Sequence, residues 1–308
     1  MDITGKRVLI TGSVGLLGHD LVEKLRSKGA ELILTGRSEG SFAGEEVEEL
    51  DITDADFVAD FVQQAAPALV FNCAAYTEVD AAESQIAEAF AVNAIGPRNL
   101  ANAVKRLNGM LVHISTDYVF GGLGDLELAG QKERRPYSEE VEPSPSCIYG
   151  HSKRFGEELV RAILPNNSAV IRTSWLHGAH GHNFVATILR IAQEREELRI
   201  VNDQVGSPTY SAWFAEILLR LVKRDAIGLF HASSRGNISW YDFAKEIVRQ
   251  AGLAVRVMPQ SSAEIARPAP RPKYSTLDVS KLETFLGEPC ISWQEGIKRH
   301  LAQMGWKR

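Results

Sequence analysis

The strongest constraint on the fold lies near the N-terminus, in Lys6-Arg7-Val8-Leu9-Ile10-Thr11-Gly12-Ser13-Val14-Gly15-Leu16-Leu17-Gly18. A β-branched apolar run ends in three glycines spaced G-x-x-G-x-x-G, and Leu17, Leu21, Val22 and Leu25 then recur at helical spacing. The pattern predicts strand, tight turn, helix. Gly12 lets the chain turn where a side chain would clash. Gly15 lets main-chain N–H groups approach an anion, and Gly18 lets the helix lie close on the strand. The helix start then faces a pyrophosphate with free N–H groups and the positive end of its dipole.

A further strand at 31–35 supports this reading over a plain glycine-rich turn. A P-loop would need Gly-Lys-Ser/Thr, and the chain has Gly18-His19-Asp20 instead. At 308 residues there is room for one large or two ordinary domains. A net charge of −5 disfavours nucleic acid or an anionic membrane as the main partner. No apolar run reaches the roughly 20 residues that span a bilayer. Three scattered cysteines, Cys73, Cys147 and Cys290, fit a reducing, cytoplasmic setting without a disulfide framework. The first residues lack the basic segment of a signal peptide.

Strands are expected at 31–35, 47–50, 68–72, 110–114 and 169–172, separated by helices. Thr53-x-x-Asp56 opens one of these helices, and a long one runs from 82 to 107. This alternation predicts an α/β fold with a Rossmann-like, doubly wound parallel sheet, whose ligands sit outside the carboxyl ends of the strands. Gly12, Arg37, Asp51, Ala74 and Thr116 all fall at such ends. Arg37 follows the second strand where an acidic residue would bind a ribose 2′-OH. It favours the 2′-phosphate of NADPH, with NADH left open. Asp51 either meets an adenine edge or serves the turn. Candidate cofactor contacts are Gly12, Ser13, Val14, Gly15, Leu16, Leu17, Gly18, Arg37, Asp51, Ile52, Cys73, Ala74, Ala75 and Asn93, with Tyr149 and Lys153. Residues 123–146 read as an irregular loop over the site. Residues 1–171 are expected to form the dinucleotide-binding domain, and 172–308 mainly a smaller substrate domain, with a segment near 226–250 returning to the sheet. Ser239-x-x-Asp242 and Ser292-x-x-Glu295 look like helix starts.

Tyr149 and Lys153 share one face of a helix. An ammonium beside a phenol favours the phenolate, so the expectation is a lowered tyrosine pKa and a usable proton donor or acceptor. Thr116, at a strand end, can hydrogen-bond the same carbonyl oxygen. Tyr241 and Lys245 have the same spacing, but no Ser-Thr strand end lies just upstream, and Ala244 and Val248 mark an ordinary amphipathic face.

Together, Gly12-x-x-Gly15-x-x-Gly18, Ser115-Thr116 and Tyr149-x-x-x-Lys153 resemble the extended short-chain dehydrogenase/reductases. Within that class, residues 72–84, 115–120, 149–153, 172–178, 202–209 and 271–278 resemble the dTDP-4-dehydrorhamnose reductase family. The resemblance covers essentially the whole chain. It implies NADPH-dependent reduction of the 4-keto group of dTDP-4-dehydro-6-deoxy-L-mannose to dTDP-L-rhamnose, with catalytic roles for Thr116, Tyr149 and Lys153. Related dehydratases follow their threonine with Asp-Glu. Here Asp117-Tyr118 follows Thr116, which disfavours elimination.

The expected partner is a nucleotide-diphosphate sugar, met by Thr116, Asp117, Tyr118, Trp175 and Arg271. Trp175 either walls the sugar or packs in the core; the Arg271 fork suits a diphosphate. Some members of the family pair through acidic residues and Mg2+. Asp20, Glu194, Glu196 and Glu197 lie where such groups fall, but charged helix faces are usually solvated, so no metal ligand is assigned. A homodimer is left open. His177, His180 and His182 imitate a metal cluster without the i, i+4 helical spacing of a zinc site. Two other readings remain: a non-catalytic subunit similar to the regulatory β subunit of methionine adenosyltransferase, and a reductase or epimerase of another nucleotide sugar.

Overall fold

The computed structural model describes residues 1–42, 44–121 and 135–306. Its centre is an eight-stranded sheet. In chain order the strands that carry the argument are β1 (Arg7–Thr11), β2 (Glu31–Gly36), β3 (Gly40–Phe42), β4 (Glu45–Glu49), β5 (Leu69–Asn72), β6 (Met110–Thr116) and β7 (Ser168–Thr173). Four short strands follow: β8 (Leu176–His177), β9 (Glu197–Val201), β10 (Val205–Gly206) and β11 (Thr209–Tyr210). The edge strand β12 (Gly228–His231) closes the sheet, in the order β12-β7-β6-β5-β1-β2-β4-β3. Every pairing in it is parallel except β3 with β4.

Alternate residues of each strand feed opposite faces, as the period of two requires. Val8, Ile10, Leu69, Phe71 and Val112 pack on one side with α1 (Leu16–Arg26) and with the helix Ser211–Lys223. Leu9, Val70 and Leu111 pack on the other with α2 (Ala55–Ala65) and with helices Gly96–Arg106 and Ile148–Ile163. Both faces are covered, so the strands read as continuous apolar runs.

Two sequence expectations need correction here. The helix expected over 82–107 is broken. α3 (Val79–Ala82) stops early, α4 (Ile86–Phe90) runs into a π-helical turn at Ala91–Ile95, and α5 (Gly96–Arg106) completes the run. The start of α2 also differs: its cap is Asp54, which accepts from the N–H groups of Asp56 and Phe57, while Thr53 is held by Asp51. An aspartate one position closer to the first turn wins the capping position.

After α6 (Ile148–Ile163) and β7 the chain divides its work. α7 (Phe184–Glu194), α9 (Trp240–Ala251) and α11 (Trp293–Gln303) share a separate core built on Val185, Phe243, Ile247, Ile297 and Leu301. There β14 (Arg256–Gln260) pairs with β9, and the short strand β13 (Ile238–Ser239) pairs with β10. By contrast α8 (Ser211–Lys223), β12 and α10 (Ser280–Leu286) pack on the large sheet. Of the stretch 226–250, the part on the sheet is β12, whereas α9 belongs to the smaller body. Ser239 and Ser292 cap α9 and α11. Residues 123–134 of the expected loop lie outside the described residues. From 135 on it is irregular, with Tyr137 bridged to Leu277 and Ser144 to Phe120.

Candidate active site

The carboxyl ends of β1, β2, β5 and β6 open on one rim. At its centre Gly12 has φ +64, and a Cβ there would stand 2.9 Å from the main-chain nitrogen of Ala74. Only a residue without a side chain allows β1 and β5 to end this close. A Cβ on Gly18 would collide with the Gly12 carbonyl, so α1 sits directly on the turn. Gly15 caps α1 without a side-chain hydrogen bond, and no acidic residue occupies the first turn. The helix start therefore keeps its donors and its positive end for an anion.

Within the glycine loop Val14 and Gly15 are exposed and Leu16 is half-buried. Ser13 and Leu17 do not face the rim as expected. The Ser13 hydroxyl donates to the Thr35 carbonyl at 3.1 Å, and Leu17 packs in the core, so what they offer a ligand is main chain. Arg37 is exposed just beyond β2. Asp51 serves the turn, accepting from the N–H and hydroxyl of Thr53 at 2.9 and 2.8 Å. Ile52 is buried against Gly96, and its carbonyl accepts from Asn99 at 3.0 Å. Cys73, Ala74 and Ala75 are half-buried at the end of β5, and burial pushes the Cys73 thiol up to about 12. That thiol stays protonated and unreactive.

The residues expected to do chemistry meet at the end of β6. The Thr116 hydroxyl accepts from Tyr118 N–H at 3.1 Å and donates to Asp117 Oδ1 at 3.2 Å. It also lies close enough to the Tyr149 phenol to favour the phenolate. The rings of Tyr118 and Tyr149 meet edge to face, 5.6 Å between centroids. Gly150 makes this approach feasible, because a Cβ there would collide with the Tyr118 carbonyl. Lys153 is 3% exposed and donates Nζ to the Ile114 carbonyl at 2.7 Å.

The expected lowering of the Tyr149 pKa is overturned. Burial pushes the phenol above its ordinary range, with Asp117 and Cys147 adding to the rise and the nearby Thr116 hydroxyl opposing them. The physical reason is desolvation of the phenolate, with the lysine engaged on a main-chain carbonyl. Burial likewise lowers Lys153 to about 8, against the raising influence of Glu157 and Cys73. Burial raises Asp117 to about 7, against hydrogen bonds from Ser275 and Thr116. Asp117 is 2% exposed, and its Oδ2 accepts from Ser275 at 2.6 Å. It ties the site to the C-terminal segment, where the sequence reading had it meeting the sugar.

The Asn93 side chain is engaged within the protein. It is fully buried in the π-helical turn, accepts from Tyr76 N–H at 2.9 Å, and donates to the Tyr76 carbonyl and to Ser152 Oγ, both at 3.0 Å. Ser152 in turn donates to the Tyr149 carbonyl at 2.8 Å. Asn93 thus reaches the site only through α6. Trp175 stacks on Trp240 at 3.4 Å, and a Cβ on Gly206 would strike its indole, so it packs in the smaller body. Arg271 is paired with Asp80 at 2.8 Å and lies close enough to Tyr118 to influence its phenol. The three histidines between 177 and 182 separate: His177 pairs with His300, His182 with Thr187, and His180 stacks on His19. Asp20 is buried and bonded to Ser211 and Gln303, not presented at a surface. In α9, Lys245 lies over the Tyr241 ring at 5.1 Å, on the smaller body.

A buried ion pair had no sequence signal. Arg172 holds Glu157 bidentately, with Nε at 2.9 Å from Oε1 and Nη2 at 2.6 Å from Oε2, both residues 2% exposed. The only hint lies in Lys153 and Glu157, which stand one helical turn apart on α6, on the buried side.

Residues 6–305 match the family described as the RmlD substrate binding domain. The sequence is 39% identical over 297 residues to a dTDP-4-dehydrorhamnose reductase of Streptomyces griseus, covering 94% of this chain and 91% of that protein. It is 38% identical over 272 residues to a dTDP-4-keto-6-deoxy-D-glucose reductase of Streptomyces niveus, covering 88% of each. A dTDP-4-dehydrorhamnose reductase of Bacillus anthracis, solved in complex with NADP, superposes with a TM-score of 0.87 at 38% identity, covering 97% of this chain and 100% of that one.

Proposed function

Since the chain belongs to the RmlD substrate binding domain family of the extended short-chain dehydrogenase/reductases, we propose that it is an oxidoreductase that reduces the 4-keto group of dTDP-4-dehydro-6-deoxy-L-mannose with NADPH, giving dTDP-L-rhamnose. The observation that carries the reading is the meeting of Thr116, Tyr118 and Tyr149 at the end of β6, on a sheet whose first turn leaves its main-chain donors free for a pyrophosphate.

The residues fit the dinucleotide. Gly12 and Gly15 leave the space that a Cβ would fill, the start of α1 is free of competing carboxylates, and Arg37 is exposed where a 2′-phosphate would lie. When bound, NADPH supplies the hydride. Tyr149, held protonated by burial, donates its proton to the carbonyl oxygen as charge develops there. An alkoxide is more basic than a phenolate, so this transfer runs downhill even from a raised phenol. The Thr116 hydroxyl, turned from Asp117 Oδ1, would supply a second hydrogen bond to the same oxygen. Below about pH 8 Lys153 is an ammonium, fixed by Ile114, and keeps positive charge at the base of the cleft. Arg271, now paired with Asp80 and close to Tyr118, offers a fork that suits the nucleotide diphosphate. Tyr118 follows Asp117 where elimination would call for a glutamate, which disfavours loss of water.

Among the described residues no helix is long and apolar enough to cross a membrane. A cytosolic setting is supported by three free cysteines. A second reading, reduction of a different dTDP-4-keto sugar, is favoured by the Streptomyces niveus relative. Following NADPH absorbance against a panel of nucleotide-linked 4-keto sugars separates the two. No ketone-dependent oxidation with any of them would contradict both and favour a regulatory subunit.

A further inference from the structure

Three metal-ligating side chains meet away from the catalytic end of β6. His19 and Glu23 stand one turn apart on α1, and the loop before α7 lays His180 against them. One ligand atom from each lies within 4.8 Å of the other two. The imidazoles of His19 and His180 are stacked, with centroids 3.2 Å apart and planes within 11°. His19 Nδ1 is 3.7 Å from Glu23 Oε1, beyond hydrogen-bond reach. Both His19 Nδ1 and His180 Nε2 are buried, and neither has a hydrogen-bond partner.

Buried polar atoms normally find a partner, so two orphaned ring nitrogens at one spot require an explanation. The surroundings hold the rings in place. Phe42 meets His19 edge-on at 4.3 Å. Asn183 donates to the Gly178 carbonyl at 2.8 Å and caps α7 with its Oδ1, which fixes both ends of the loop carrying His180. Burial, then the neighbouring His180, keeps His19 below its ordinary pKa. The neutral imidazole is the form that binds metal.

We propose that His19, Glu23 and His180 form a binding site for a divalent transition-metal ion, zinc above all. Two imidazole nitrogens and one carboxylate oxygen are a ligand set that zinc takes, with a fourth position for water. Magnesium and calcium instead select all-oxygen sites. Tetrahedral coordination at zinc–nitrogen distances of about 2.0–2.1 Å puts ligand atoms roughly 3.3 Å apart. The ligand atoms, within 4.8 Å of one another, reach that spacing when the two stacked rings turn apart to face one ion. The ion would bind α1, which carries the glycine loop, to the segment leading into the smaller body. None of its three ligands is a residue of the proposed reduction, so metal uptake by the protein is read apart from turnover.

The test uses chelator-treated full-length protein titrated with Zn2+ by calorimetry, and with Co2+ followed by its visible absorption. The wild type should take up one equivalent, with a four-coordinate cobalt spectrum that zinc displaces. Loss of a group that merely orients a ligand costs about 10–100-fold in metal affinity, so loss of a ligand should cost at least the upper figure. His180→Ala should therefore bind zinc at least about 100-fold more weakly. Glu23→Gln alters a half-exposed side chain on an intact helix and should weaken binding in the same direction. No saturable zinc binding by the wild type would overturn the proposal, as would unchanged affinity in both variants.

Discussion

Asn93 and Ser152, 59 residues apart, are joined by a hydrogen bond of 3.0 Å from the Asn93 amide to the Ser152 hydroxyl. The same serine donates to the Tyr149 carbonyl at 2.8 Å. A π-helical turn at Ala91–Ile95 puts the amide there, and such turns often mark functional sites. The position of the proposed acid therefore depends on a helix irregularity far away in sequence.

Asn93→Ala removes the amide and leaves the Tyr76 main chain and Ser152 Oγ without their partner. An unsatisfied buried group costs about 1–3 kcal/mol, and stability should fall by that order in urea denaturation. Because the cleft lining is untouched, turnover should drop more than NADPH affinity, read by steady-state kinetics beside a fluorescence titration. Equal losses in both would mean that the residue supports the fold in general and not Tyr149 in particular.

Asp117 keeps its proton in the folded protein up to about pH 7, whereas an unfolded aspartate loses it near 3.8. Between those values the native state binds more protons than the unfolded one, so this group's contribution to stability falls as pH rises. The stability of the wild type minus that of Asp117→Asn should decrease across this window, by up to about 4 kcal/mol for a shift of this size. Urea titrations at pH 4.5 and 7.5 measure the difference, and a flat or rising one would contradict the assignment.

Arg37→Ala should erode the preference for NADPH over NADH. A hydrogen bond to a charged group contributes about 1.5–3 kcal/mol, so the ratio of kcat/KM values for the two cofactors should fall by roughly 10–100-fold. An unchanged ratio would move recognition of the 2′-phosphate to another residue.

Much of the sheet was legible because burial on both faces forces continuous apolar runs. Val8–Ile10 and Leu69–Phe71 declared their strands, and glycines marked the turn that a close approach to Ala74 demands. What depends on tertiary contact was not legible. The choice of Asp54 over Thr53 as a cap turns on which side chain Asp51 engages. The break before Ile86 and the π-helical turn after Phe90 leave no mark in a helical period. Spacing put Tyr149 and Lys153 on one helix face, but could not show that the ammonium is buried and donates to the Ile114 carbonyl. Nor could it show that Asp117 faces Ser275, 158 residues away, or that His180 leaves its histidine neighbours to meet His19.

The most direct test of the account is NADPH oxidation by wild type and Tyr149→Phe with dTDP-4-dehydro-6-deoxy-L-mannose as substrate. Loss of a general acid costs about 10²–10⁴-fold, so turnover should fall by that factor while NADPH binds the variant as it binds the wild type. Undiminished turnover in the phenylalanine variant would contradict the central claim that this phenol delivers the proton.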